Sequence, residues 1–61
     1  MYSLRIISPN GTQTNEYLGE SYSKYVENGK KVIETSNHKF ILNPENKNFI
    51  VTKEGTTYEK L

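Results

Sequence analysis

Three short turn signals, Asn10-Gly11, Asn28-Gly29 and Glu54-Gly55, punctuate this chain, each between stretches of β-branched and aromatic residues. A two-residue hairpin loop of the primed type needs positive φ at its centre, which Asn and Gly tolerate and most residues do not. The spacing therefore predicts short antiparallel strands folded back on themselves. The residue supply agrees: Ala is absent, while Ile, Val, Thr and Tyr are plentiful, and these suit a pleated surface better than a helix.

With 61 residues the chain is one domain, residues 1–61. A domain of this size buries only about 60% of the surface its unfolded chain exposes. Small domains gain extra stability from disulfides, metals or oligomers. There is no Cys, no Asp and one His, so a disulfide is excluded and neither a metal site nor any other cofactor is expected. Self-association remains. Net charge is +1, with eight basic and seven acidic residues interspersed, which is not the footprint of a strong DNA binder. No segment reads as a membrane span or a signal peptide, and the chain reads as cytoplasmic. The abundance of Asn, Lys, Ile and Tyr beside the absence of Ala fits A/T-rich codons, and hence a bacterial or phage gene.

Tyr2, Leu4 and Ile6 alternate with polar neighbours, the pattern of a half-buried strand. Residues 13–18 can return beside it. Residues 15–27 admit two readings. Leu18, Tyr22, Tyr25 and Val26 fall at helical spacing, with Asn28-Gly29 as a C-terminal cap; alternatively Tyr22, Lys24 and Val26 line one face of a strand. Further on, Lys31–Thr35, Lys39–Leu42, Phe49–Thr52 and Thr56–Lys60 read as a meander over residues 31–60, with Val51 facing Tyr58 across the last hairpin. The expected core is Leu4, Ile6, Phe40, Leu42, Phe49 and Val51. The triplets Phe40-Ile41-Leu42 and Phe49-Ile50-Val51 put apolar residues on both faces of their strands. Barrel closure, a covering helix or a second chain would account for them. The fold expected is thus all-β, a small antiparallel barrel or curled meander sheet. The alternative is α+β, with one short helix at about residues 15–27 packed on the sheet.

No catalytic constellation stands out. His38 sits beside Asn37 and Lys39 at a turn, where an exposed structural role suffices. Ser21-Tyr22-Ser23-Lys24 matches S-x-x-K, a pattern fixing only two positions, without the companion motifs of that enzyme class. The seven Glu are scattered as on a solvated surface. The five Tyr are more informative. Tyr17, Tyr22 and Tyr25 lie near Lys24, Lys30 and Lys31. Tyr with Lys serves protein interfaces, where the ring brings area and a polar tip. It also serves grooves that stack single-stranded bases; Glu16, Glu20 and Glu27 nearby weigh against that use. The expected function is a small non-enzymatic protein-binding module or inhibitor acting by surface occlusion or strand addition, phage-encoded or host-regulatory. Its partner is another protein, including a second copy in a homodimer with Ile41 or Ile50 and a Tyr at the interface. The alternative is a single-stranded nucleic-acid-binding small β-barrel.

Overall fold

The computed structural model describes all residues, Met1–Leu61, and contains seven strands and no helix. These are β1 (Tyr2–Ile7), β2 (Gln13–Gly19), β3 (Ser23–Glu27), β4 (Lys30–Glu34), β5 (Lys39–Ile41), β6 (Lys47–Thr52) and β7 (Thr57–Lys60). They form a four-stranded sheet in the order β2-β1-β6-β7 and a three-stranded sheet in the order β3-β4-β5, all pairs antiparallel. The helical alternative for residues 15–27 is excluded: Gly19 ends β2 and Ser23 starts β3, so the stripe is split between two sheets. With no helix present, none is long and apolar enough to cross a membrane.

The expected barrel or curled sheet is corrected to two open sheets packed face to face. Leu4, Leu18 and Ile50 from the larger sheet meet Ile33 and Leu42 from the smaller side in one buried cluster. The thinnest dimension of the molecule is 17 Å, enough for two layers about 10 Å apart and too little for a third. The 31–60 meander is likewise corrected. Leu42 N–H still donates to Lys31 O, at 2.9 Å, extending the β4–β5 ladder. Pro44 then has no N–H to continue pairing. Asn43 closes a turn through its own side chain, whose Oδ1 accepts from Glu45 N–H at 2.9 Å. The chain crosses there to the other sheet, and the buried Asn48 holds the crossing through Nδ2 contacts to Asn43 O and Asn46 O.

The three turn signals fold in two ways. Asn28 and Gly29 both have positive φ, 53° and 77°, and join Glu27 to Lys30 as a two-residue primed hairpin. The other two are three-residue loops. Ser8 N–H donates to Thr12 O and Gly11 N–H to Ser8 O, and Thr52, Gly55 and Thr56 repeat that pattern. Each is a type I turn followed by a glycine in the left-handed region. At Gly29 a Cβ would meet nothing within 4 Å. Gly29→Ala should therefore cost about 1–2 kcal/mol through backbone strain alone, read as a lower urea midpoint with an unchanged m-value.

The core also shifts from expectation. Leu4, Leu42 and Val51 are buried as expected, together with Leu18, Val32, Ile33 and Ile50. Ile6 and Phe40 only pack against the cluster from its margin. Phe49 is half-buried and points away from the cluster, because its neighbour Ile50 points into it. The Val51–Tyr58 pair does not form: Val51 faces Thr57 and Ile50 faces Glu59, leaving Tyr58 as the extra residue of a bulge.

Val32 is buried on the outer side of the smaller sheet. Tyr25 and Ile41 flank it. The ion pair between Lys39 Nζ and Glu27, at 2.6 Å, reaches from β5 to β3 across the same stretch of β4.

Candidate functional site

The register of the larger sheet fixes what its outer face carries. Side chains alternate sides along each strand and paired residues share a side. One row across all four strands reads Asn15, Arg5, Phe49, Lys60. The next reads Tyr17, Ser3, Val51, Thr57, and a third reads Gln13, Ile7, Lys47. The charges on this face are Arg5, Lys47 and Lys60, and no carboxylate accompanies them. Neither ion pair of the molecule involves any of the three. Arg5 Nε donates only to the neutral Asn15 Oδ1, at 3.4 Å.

The apolar members of the face are Val51, which is buried among its neighbours, half-buried Phe49 and Ile7, and Tyr17, which is 66% exposed. Tyr17 lies over the sheet edge, its hydroxyl donating to Met1 Sδ at 3.4 Å. Nothing in the fold covers this face, since the smaller sheet packs on the opposite one. The Phe49-Ile50-Val51 triplet is thereby explained in part: Ile50 fills the core, while Phe49 and Val51 sit on the uncovered side.

The Tyr and Lys residues singled out in the sequence do not share one surface. Tyr17 lies on the face just described. Tyr22 packs against the core from the β2–β3 connection, where its hydroxyl donates to Glu59 Oε1 at 2.5 Å. Lys24 Nζ donates to the other oxygen of Glu59 at 2.7 Å. Lys24 belongs to the smaller sheet and Glu59 to the larger, so this is a clamp between sheets. Tyr2 packs on both Tyr22 and Tyr58, with ring centroids 5.3 Å and 4.9 Å apart, and extends the clamp into an aromatic cluster. Tyr25 is on the outer side of the smaller sheet, bonded to Glu34 at 2.8 Å. Lys30 and Lys31 are adjacent in β4, so their side chains leave on opposite sides, beside a cavity of about 240 Å³ that Leu42, Pro44 and Asn48 also line.

Electrostatics follow this geometry. The Lys24 bond, and then the Tyr22 bond, hold the Glu59 carboxyl below its ordinary range. Burial, and then the bond to Glu59, push the Tyr22 hydroxyl far above its ordinary value. The bond to Glu34 raises Tyr25, and the bond to Glu27 raises Lys39. These groups are paired within the fold. The cations of the larger sheet are unpaired and available.

His38 packs against Phe40, with ring centroids 4.4 Å apart and planes tilted by 46°, and no carboxylate is bonded to it. No three His, Cys, Asp or Glu side chains gather as metal ligands would. The arrangement offers no nucleophile–base pair; it offers an open surface with one sign of charge. Arg5, Lys47, Phe49 and Lys60 were absent from the residues chosen by sequence. Arg5 and Lys47 are far apart along the chain, and only strand register brings them together. The one signal available was that Arg5 falls between Leu4 and Ile6, on the side opposite the core. No protein-family model, curated protein or solved structure matches this chain.

Proposed function

We propose that this protein is a non-enzymatic binding module that covers a surface of an anionic macromolecule with the outer face of its four-stranded sheet. One observation carries the reading: β6 has apolar side chains on both sides, and the uncovered side bears three cations and no carboxylate. An uncovered patch combining aromatic rings with a single sign of charge fits recognition by steric occlusion. Self-association through this face is disfavoured. A second copy would set Arg5, Lys47 and Lys60 against the same three cations. Ile50 is unavailable to any partner, being fully buried in the core.

The test is a binding comparison between two sets of variants on immobilised polyanions, polyglutamate and heparin. Lys47→Gln with Lys60→Gln should weaken retention, moving elution to lower salt. Lys30→Gln with Lys31→Gln should leave it unchanged. Retention that follows the Lys30 and Lys31 pair instead would move the binding surface off this sheet and reject the proposal.

A further inference from the structure

Resting on the docking face proposed above, we infer that its occupant is a single-stranded nucleic acid, with bases stacked on Phe49 and Tyr17 and phosphates held by Arg5, Lys47 and Lys60. The first argument is the row Arg5–Phe49–Lys60, which puts a cation on each side of an aromatic ring in three adjacent strands. A base lying on that ring has its flanking phosphates within reach of both cations. The second is spacing. Tyr17 lies two strands from Val51, which is two residues along β6 from Phe49. At about 4.8 Å between strands and about 3.3 Å per residue, the two backbone positions are about 12 Å apart. That separates the rings enough to seat different bases of one extended strand.

The third argument is polarity. Between and beside the rings stand Asn15, Gln13, Ser3 and Thr57, which can donate to or accept from base edges without demanding one sequence. The fourth is shape. Arg5, Lys47 and Phe49 line none of the five main cavities; Tyr17 borders one beside the β2–β3 connection and Lys60 one beside β3 and β4, at the margins of the face. Protein hot spots seat an anchor side chain in a pocket, whereas base stacking needs an open ring face. A duplex hides its base faces, so the strand must be single.

The experiment is fluorescence anisotropy with a labelled oligothymidylate of about 12 nucleotides, within the span such sheets occupy, at protein concentrations up to about 100 µM. The wild-type protein should bind, and bind the matching duplex more weakly. Three cations at about 0.7 counterions each give a slope of log K on log salt of about −2, so affinity should fall about 20-fold between 50 and 200 mM salt. Tyr17→Ala and Phe49→Leu should each weaken binding about tenfold, and Lys60→Gln should flatten the slope by about 0.7. Tyr17 is largely exposed and Leu keeps Phe49 apolar; a thermal melt of each variant confirms that it is folded. Oligonucleotide binding indifferent to Tyr17→Ala and Phe49→Leu, or equal for duplex and single strand, overturns the inference. Retention on polyglutamate through Lys47 and Lys60 without oligonucleotide binding also overturns it, while leaving the cationic docking face intact. Binding to neither polyanion nor oligonucleotide removes both.

Discussion

Ile50→Ala should come close to unfolding this protein, while Phe49→Ala, one residue away, should not. Ile50 is fully buried in the inter-sheet cluster with Leu4, Leu18, Ile33 and Leu42. Truncating such a residue costs about 2–5 kcal/mol in lost transfer energy and cavity. A chain of this length has a total stability of about 3–9 kcal/mol, so the loss takes a large share of it. The melting temperature should drop by roughly 15 °C or more. Phe49 lies on the uncovered face, where it is only partly exposed. Its truncation should cost about 1–2 kcal/mol, less than at Ile50, because no enclosed cavity is left behind. Urea melts of the two variants measure the contrast. Equal losses would mean that both sides of β6 are covered, and the open face would not exist.

That contrast also marks where the sequence stops being informative. Strand positions are local properties. Tyr2, Leu4 and Ile6 alternate, Val32-Ile33 are β-branched, and Asn28-Gly29 takes the positive φ values a primed hairpin needs, so these elements are legible. Which side of β6 meets the core is not local. In Phe49-Ile50-Val51 a register one residue different would exchange the buried and exposed sets, and three apolar residues in a row fit either choice. The expected core takes Phe49 and Val51, which share one side of the strand; pairing of Ile50 with Leu4 decides otherwise. The two Asn-Gly turns show a related limit. The dipeptide is the same, yet Pro9 presets a type I turn before Asn10-Gly11, so that loop has three residues and only Gly11 takes positive φ. The barrel failed for a third reason. Closure needs continuous pairing around the sheet, and the Pro44 crossing breaks the ladder after Leu42.

The candidate site was legible only where its members were exposed aromatics. Tyr17 stands out in the sequence because it lies near Tyr22, Tyr25 and the lysines Lys24, Lys30 and Lys31. Lys24 and Tyr22 stand out on the same reasoning, and in the fold both donate to Glu59, linking the two sheets. Clusters of Lys and Tyr in sequence look alike whether the carboxylate that neutralises them is absent or arrives from a distant strand, as Glu59 does.

Glu59 is accordingly the charged residue whose loss should weaken the packing of the two sheets. Its carboxylate receives the Tyr22 hydroxyl and the Lys24 ammonium at one end of the sandwich. Glu59→Ala leaves both donors without that partner. Because the Lys24–Glu59 pair is partly exposed, at 46% and 29% of the side chains, solvent screens it, and the loss should be about 1–2 kcal/mol. That corresponds to a melting temperature lower by roughly 5–15 °C. The same clamp sets an acid dependence. The folded-state value of Glu59 is depressed below its ordinary 4.5. Its contribution is therefore complete above about pH 4.5 and disappears as pH falls through the lower, folded value. Glu59→Gln keeps an oxygen for Tyr22 but cannot ionise. The gap in melting temperature between wild type and Glu59→Gln should be present at neutral pH and close on acidification below the depressed value. A gap that stays constant down to strong acid would show that packing, not the ionised carboxylate, ties the two sheets together at this end.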